Sequence, residues 1–198
     1  MRTFDVVIFG GDVGSGKTTS AELVRAETGG VIIDPDVIRR ELGCRDYSLL
    51  DKPRVMADSR RGVRQLVRSA SEPVLLSATF ATELDRALLY RWVDKASDGF
   101  RARLNMALVW CECSAEESRR RVALRPGNDG LHMPTNDPAV YDRTRSLAPV
   151  GTEFAGAAFP NVSCFQYDTQ HLNIEPRVVR AGHGDYGESL SQALLRKC

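Results

Sequence analysis

The sequence carries almost no net charge, because its 27 Lys and Arg residues are matched by 26 Asp and Glu residues, which leaves +1 at pH 7. A balanced chain has no overall field that attracts nucleic acid, although a local basic patch can still bind it. The sequence also lacks an apolar run near the roughly 20 residues that cross a bilayer. Its first residues lack the pattern of a secretory signal. We therefore expect a cytoplasmic protein that does not associate with membranes.

Histidine and cysteine are also scarce, which limits metal and nucleophile chemistry. The three His residues are dispersed, so neither a metal cluster nor a catalytic triad is indicated. Five Cys residues are an odd number without the spacing of a disulfide framework, which is consistent with reduced thiols. Cys111 and Cys113 have no second pair or His partner at a zinc-binding spacing. With 198 residues, 42% of them apolar, the chain is expected to form one domain over residues 1–198.

One segment stands out in what the sequence does contain. Residues 11–18 match the pattern G-x-x-x-x-G-K-T of a phosphate-binding P-loop, between an apolar run and a helical pattern. The glycines let the backbone wrap around an oxyanion, Lys17 reaches the β- and γ-phosphates, and Thr18 offers its hydroxyl to Mg²⁺. The nucleotide-binding residues are predicted to be Gly11, Asp12, Val13, Gly14, Ser15, Gly16, Lys17, Thr18 and Thr19.

Apolar runs typical of buried parallel strands alternate with helical patterns along the chain. Strands are predicted at about 4–9, 31–33, 73–79, 103–111 and 162–168, and helices at about 18–26, 36–42, 53–70, 83–96, from 114 onward, 139–147 and 189–196. The segment 177–187 receives no assignment. This alternation predicts an α/β fold of the P-loop NTPase type, with about five parallel strands between helices on both faces.

Two acidic residues follow the second predicted strand directly. Strands of an open α/β sheet present their functional groups at their carboxyl ends, so Asp34 and Asp36 are expected on the same rim as the P-loop. They are therefore candidates for chemistry. The alternative for Asp36 is that its side chain caps the N-terminus of the following helix.

Arginines mark two further regions. Arg54, Arg60, Arg61, Arg64 and Arg68 share one face of the helix predicted at 53–70, which is either a solvated face or a surface for an anionic substrate.

The second region is the helix before the Pro- and Gly-rich segment at 126–138. Arg121 and Arg125 are four residues apart on one face of this helix. A lid over bound nucleotide is predicted at about 119–147, with an ordinary surface loop as the alternative.

Several motifs in order carry a family resemblance: the P-loop, Asp36-x-x-Arg39, a strand ending in Ser77-Ala78-Thr79, Arg86, and Arg121-x-x-x-Arg125. Over about residues 4–150 the chain resembles the small P-loop kinases of the zeta-toxin, gluconate-kinase and polynucleotide 5′-hydroxyl kinase group. The P-loop is highly specific for nucleotide phosphate, whereas the later motifs are informative mainly through their order.

The resemblance implies a role for each matching residue. Asp36 would accept the proton of the attacking hydroxyl, and Arg39 would hold the acceptor. Thr79 and Arg86 are assigned to acceptor binding on the same basis, together with Asp34 at the strand end. A carboxylate that orients a hydroxyl in line with the γ-phosphate supplies the positioning that phosphoryl transfer needs.

The lid arginines receive the remaining assignments. Arg121 is implied to contact the nucleotide, and Arg125 is implied to be catalytic, because a guanidinium fork suits the phosphoryl oxygens that gather charge in the transition state. One position departs from the group, whose members commonly carry Asp where this chain has Ser77. Asp34 or a water-mediated contact is then expected to serve the metal instead.

These observations predict a kinase that uses ATP and Mg²⁺ to phosphorylate a hydroxyl on a small-molecule or nucleotide-like acceptor. One alternative is a polynucleotide 5′-hydroxyl kinase, favoured by the basic face at 54–68 and disfavoured by the neutral overall charge. Another is a regulatory protein that binds ATP without turnover. Oligomeric state and the identity of the acceptor depend on packing that the sequence does not reveal.

Overall fold

The central sheet of this protein has six strands. The structure, a computed structural model, describes residues 4–44, 50–69, 72–80, 82–96, 104–125, 142, 145, 159–171, 176–180 and 194. The strands are β1 (Val6–Gly11), β2 (Val31–Ile33), β3 (Val74–Ser77), β4 (Met106–Glu112), β5 (Val162–Asp168) and β6 (Arg177–Arg180). The helices are α1 (Lys17–Thr28), α2 (Pro35–Glu41), α3 (Lys52–Ser69), α4 (Glu83–Lys95) and α5 (Ala115–Ala123).

The strand order is β2-β3-β1-β4-β5-β6, and the first five strands are parallel. β1 lies between β3 and β4, with Val6 opposite both Val74 and Met106. Because parallel strands end on one rim, the P-loop after β1 lies beside the ends of β3 and β4. The predicted α/β fold with a parallel sheet between helices is confirmed.

The sixth strand, β6, was not predicted from the sequence. It pairs antiparallel with β5 at the edge of the sheet, within the segment that received no assignment. Its only apolar residues, Val178 and Val179, are 54% and 36% exposed. An edge strand with arginines at both ends lacks the buried apolar run or the alternation by which strands are recognised.

Two separate cores cover the two faces of the sheet. Val6 and Ile8 of β1 point into the core formed with α3 and α4. Val7 and Phe9 point into the opposite core, where they meet α1. Strands buried on both faces read as continuous apolar runs, which is why the sequence pattern identified them.

Glycines and capping side chains determine where the helices begin and end. Gly16 precedes α1 with a φ of 87°, and Gly29 ends it with a φ of 71°. The Ser114 side chain accepts a hydrogen bond from the Glu117 backbone N–H at 3.2 Å, which confirms the predicted start of α5. The predicted helices at 139–147 and 189–196, and most of the predicted lid, lie outside the described residues.

Two further features concern the described part of the chain only. None of its helices is long and apolar enough to cross a membrane. Its four cysteines, Cys44, Cys111, Cys113 and Cys164, form no disulfide bonds.

The packing of α4 predicts a large difference between two adjacent leucines. Leu89 is 1% exposed in the core, whereas Leu88 is 50% exposed on the same helix. Leu89→Ala is expected to lower the free energy of unfolding by about 2–5 kcal/mol, because it leaves a cavity. Leu88→Ala should change it by no more than about 0.5 kcal/mol. Urea denaturation followed by circular dichroism measures both, and equal losses would contradict the predicted orientation of α4.

Candidate active site

The P-loop runs from the end of β1 to the start of α1 in a backbone conformation that requires glycine. Gly11 and Gly14 have φ values of 141° and 83°. A Cβ at Gly11 would lie 2.3 Å from the carbonyl oxygen of Cys111, and one at Gly14 would lie 2.6 Å from that of Ser118. Both distances are too short for any other residue, so the glycine spacing reflects the close packing of the loop against β4 and α5.

The outer side of the loop is fixed by hydrogen bonds to two neighbouring segments. The Ser118 hydroxyl of α5 donates to the carbonyl oxygen of Val13 at 2.5 Å. The Thr169 hydroxyl, just after β5, lies 2.8 Å from the carbonyl oxygen of Ser15 and 3.0 Å from that of Glu112. These hydrogen bonds fix the loop backbone around the space that a phosphate would occupy.

Lys17 is the cation of the loop. Its Nζ donates a hydrogen bond to the carbonyl oxygen of Asp12 at 2.7 Å. Desolvation by the surrounding protein lowers the pKa of Lys17 from its usual 10.5, and the charge of Arg125 adds to this effect. Cys111, Asp12 and Asp36 act in the opposite direction. Both Asp36 and Arg125 therefore act electrostatically on Lys17.

The loop residues fit a bound phosphate. The Ser15 hydroxyl is buried and has no hydrogen-bond partner within the part of the chain that the structure describes. A phosphate oxygen in the loop would supply that partner, and it would also face the Lys17 ammonium. The Ser15 hydroxyl and the Lys17 ammonium are therefore donors suited to a bound anion.

Oxygen atoms suited to Mg²⁺ gather at the first turn of α1. The Thr18 hydroxyl lies 3.5 Å from the Ser77 hydroxyl at the end of β3. The Thr18 hydroxyl also acts on the Asp34 carboxylate, whose pKa it lowers against the larger effect of burial. Thr19, the next residue, is exposed. No group of three or more His, Cys, Asp or Glu residues that could hold a metal occurs among the described residues. Mg²⁺ does not need such a cage, because phosphates and waters usually complete its shell.

Asp34, and not Asp36, caps α2. Its Oδ1 accepts a hydrogen bond from the Asp36 backbone N–H at 2.8 Å, and Pro35 occupies the first helical position, where no N–H is needed. The alternative that Asp36 is the capping residue is therefore wrong. Burial raises the pKa of Asp34, against the opposing effects of this hydrogen bond, the charge of Lys17 and the hydrogen bond with Thr18.

Arg39 and Thr79, two further predicted acceptor residues, differ in how deeply they are buried. Arg39 lies three residues after Asp36 on α2 and is 7% exposed, so both residues face the same side of the helix. Thr79 lies two residues beyond the end of β3 and is exposed.

Arg86, which the resemblance assigns to acceptor binding, lies in the protein core in this structure, and its role stays a prediction. It is fully buried, donates to the carbonyl oxygen of Phe80 at 3.4 Å, and places its guanidinium 5.3 Å from the centroid of the Trp110 ring. An arginine stacked on an indole in this way packs as a core residue. This placement was not predictable from sequence, because Arg86 and Trp110 lie on different elements.

The two arginines of the predicted lid also differ from each other. Arg121 donates from Nε to Glu117 at 2.7 Å, and its two terminal nitrogens donate to the hydroxyl and carbonyl oxygens of Thr169, both at 2.9 Å. Hydrogen bonds from Arg120 and Arg121 lower the pKa of Glu117 to about 2. Arg121 is thus linked to the P-loop through Thr169, whereas Arg125 acts on Lys17 through its charge.

The contacts of Thr169 and Ser118 with the P-loop were not predicted from the sequence. Thr169 follows a buried strand directly, so the rule that placed Asp34 on the rim also applies to it. Ser118 lies inside an arginine-rich helix and carries no comparable signal.

The β1–loop–α1 unit at the rim of a parallel sheet that lies between helices defines an α/β domain with a P-loop. A family model described as an AAA domain, AAA_33, matches residues 6–149. The chain belongs to this family. No curated protein matches the chain in sequence.

Solved structures of kinases share this fold. A candidate kinase from Chloroflexus aurantiacus has a TM-score of 0.61 and 14% identity, with all of both chains covered. The APS kinase CysC of Mycobacterium tuberculosis, solved with AMPPNP and APS, has a TM-score of 0.56 and 16% identity, also with all of both chains covered. A sugar kinase from Janibacter sp. HTCC2649 has a TM-score of 0.53 and 18% identity over 98% of this chain and 93% of that one. At these identities the likeness is one of fold, and the resemblance to small P-loop kinases is confirmed at that level.

The hydrogen bonds of Thr169 predict that its hydroxyl supports the nucleotide site. Thr169→Val keeps the branched shape but leaves the Ser15 carbonyl and an Arg121 nitrogen without their partner. We expect a loss of about 1–3 kcal/mol in the free energy of unfolding and weaker ATP binding, measured by denaturation and calorimetry. Thr169→Ser, which keeps the hydroxyl, serves as the control. If Thr169→Val binds ATP as tightly as Thr169→Ser, the hydroxyl does not support the loop.

Proposed function

We propose that this protein is a kinase that transfers the γ-phosphate of ATP to a hydroxyl group of a small-molecule or nucleotide-like acceptor. One observation carries the proposal: the P-loop presents the buried Ser15 hydroxyl, which has no partner among the described residues, and the Lys17 ammonium, and both suit a bound phosphate. The charges of Asp36 and Arg125 act on Lys17, so a carboxylate that can take a proton and a second cation lie in the neighbourhood of this phosphate site. Phosphoryl transfer depends chiefly on this kind of positioning and charge stabilisation.

In the proposed reaction the donor side is held by the P-loop. The loop and Lys17 bind the β- and γ-phosphates, and Thr18 contributes its hydroxyl to the metal site. Mg²⁺, when bound with the nucleotide, would neutralise charge on these phosphates. Arg125 adds a guanidinium toward the equatorial oxygens, where charge gathers in the transition state.

On the acceptor side, Asp36 accepts the proton of the hydroxyl. The hydroxyl oxygen forms a bond to the γ-phosphorus while the bond from that phosphorus to the bridging oxygen of ADP breaks, and the proton passes to the carboxylate. Arg39, one helical turn further along α2, binds a polar or anionic group of the acceptor. Thr79 remains a predicted acceptor contact at the rim. Because Asp34 caps α2, the Asp36 carboxylate is not needed for capping.

The related folds support this proposal. The sugar kinase and the APS kinase named above act on small molecules, and both have this architecture over nearly the whole chain. A cytoplasmic location, expected from the sequence, would place the enzyme beside the cellular ATP supply and stays a prediction.

If Asp36 is the general base, its replacement should slow turnover without weakening ATP binding. Asp36→Asn should reduce the rate of acceptor-dependent ADP release by about 10²- to 10⁴-fold, the usual contribution of a general base. It should leave ATP binding within a few-fold of wild type, whereas Lys17→Ala should weaken that binding strongly. A screen of sugars, nucleosides, antibiotics and 5′-hydroxyl oligonucleotides, read as ADP release, supplies the acceptor.

Glu41→Gln is the matched control, because Glu41 is an exposed carboxylate on the same helix. Wild-type turnover by Asp36→Asn would exclude Asp36 as the base. ATP binding without ADP release for any acceptor would instead favour a regulatory protein.

A second candidate function, a polynucleotide 5′-hydroxyl kinase, is favoured by the start of the basic face of α3. α2, which carries Asp36 and Arg39, packs against α3, so the helix with the basic face neighbours the proposed acceptor residues. Arg61 is paired with Asp58, and Arg60 lies 5.6 Å from the centroid of the Trp92 ring. Arg64 is exposed on the same helix.

This candidate predicts steep salt dependence. If a polynucleotide lies along α3, raising the salt from 50 to 200 mM should weaken binding of a 5′-hydroxyl oligonucleotide on the order of tenfold or more. Arg64→Glu should reduce both the affinity and the salt slope, as measured by fluorescence anisotropy. Arg25→Glu, on the opposite face of the sheet, is the control. Salt-independent binding, or equal effects of the two variants, would exclude this function.

A further inference from the structure

An acidic residue occupies the second position of the P-loop. Asp12 lies between Gly11 and Val13 and is half-buried. Its backbone carbonyl oxygen accepts hydrogen bonds from the Lys17 Nζ at 2.7 Å and from the Ser15 backbone N–H at 3.1 Å. The carboxyl group of Asp12 is therefore attached to the same peptide segment that contacts the phosphate-binding lysine.

The backbone on both sides of Asp12 is fixed. Gly11 has a φ of 141°, and a Cβ there would lie 2.3 Å from the Cys111 carbonyl oxygen, so this residue packs directly against β4. The Val13 carbonyl oxygen accepts a hydrogen bond from the Ser118 hydroxyl at 2.5 Å. These contacts hold the Asp12 backbone in the loop, so its carboxylate stays within one side-chain length of the phosphate site.

The Asp12 carboxylate has opposite effects on Lys17 and on a bound phosphate. Burial lowers the pKa of Lys17, and the negative charge of Asp12 opposes this shift, so the two groups attract each other. A polyphosphate is an anion, and the same carboxylate repels it. This repulsion is proportional to the negative charge of the ligand, and it is screened only weakly where little water remains.

Charge repulsion of this kind separates ligands that the other groups of the loop would accept equally. The Lys17 ammonium and the Ser15 hydroxyl suit any phosphate chain, with or without a metal ion. Mg²⁺ cancels roughly half of the negative charge of a nucleoside triphosphate, so the metal complex meets roughly half of the repulsion from Asp12. A repulsive group that one ligand feels more strongly than another is a source of specificity.

We propose that Asp12 makes the P-loop selective by charge. It disfavours metal-free nucleoside triphosphates and other free polyanions, such as pyrophosphate, relative to the Mg²⁺ complex of the nucleotide. The residue acts through its charge and not as a ligand of the metal. This inference rests on the nucleotide binding in the proposed function and is independent of the identity of the acceptor.

Removal of the charge should strengthen binding most for the most negative ligand. Calorimetry at one pH and ionic strength gives the Kd of AMPPNP in Mg²⁺ and in EDTA. Asp12→Asn keeps the size of the side chain and removes its charge. We expect AMPPNP to bind about 10-fold more tightly in EDTA and about 3-fold more tightly in Mg²⁺, because halving the ligand charge halves the repulsive free energy. Pyrophosphate in EDTA should also bind more tightly.

Three further variants separate the charge from the shape of the side chain and from the net charge of the protein. Asp12→Glu keeps the charge and should keep the wild-type ratio of the affinities in Mg²⁺ and EDTA. Asp12→Ser, a second neutral variant, should reproduce both gains. Glu22→Gln removes a charge from an exposed residue of α1 and should change either affinity by less than about twofold, because water and salt screen that position. Thermal unfolding without nucleotide confirms that each variant is folded.

Three results would overturn the proposal. Asp12→Asn could leave the affinity in EDTA unchanged, which would mean that the carboxylate does not act on the phosphates. It could weaken binding, which would mean that Asp12 chiefly supports the charge of Lys17. It could change both affinities equally, which would indicate an effect of loop shape.

Failure of the proposed function is distinguishable from these results. An absence of ADP release with any acceptor, while AMPPNP shows the expected pattern of affinities, would contradict the kinase function alone. If the wild-type protein bound no AMPPNP in Mg²⁺ or in EDTA, both proposals would be wrong.

Discussion

The close contact between the P-loop backbone and its neighbours is the constraint on which the rest of the site depends. β4 and α5 approach Gly11 and Gly14 so closely that a single added carbon would collide with backbone oxygens. The hydroxyls of Ser118 and Thr169 then fix the outer carbonyl groups of the loop. These contacts come from α5 and from the end of β5. The shape of the loop therefore depends on elements that the parallel sheet brings together.

This arrangement also accounts for the charges on the rim. Besides burial, Arg125 lowers the pKa of Lys17, whereas Asp36 raises it, and the charge of Lys17 in turn lowers the pKa of Asp34. A bound nucleotide would add negative charge beside these cations. The proposed roles follow from this arrangement: cations toward the phosphates and Asp36 toward the acceptor hydroxyl.

Much of the fold was predictable, since β1, β3 and β4 are buried on both faces and appear as apolar runs. β6 was not predictable, because this short edge strand has neither a buried apolar run nor an alternation of apolar and polar residues. The prediction that Asp34 and Asp36 lie on the P-loop rim needed only the rule that parallel strands end together, yet the sequence alone could not show which of them caps α2. Arg86 was assigned by resemblance to acceptor binding, whereas its stacking on Trp110 brings it into the core.

The sequence by itself determined the P-loop, the start of α5 and the alternation of strands and helices, because each depends on residues close together in the chain. Only the tertiary structure decided that Thr169 supports the loop, that Arg121 bonds to Thr169, and that Asp34 lies opposite Ser77 beside Thr18. These contacts join residues far apart in the chain, and strand order and register decide which of them meet.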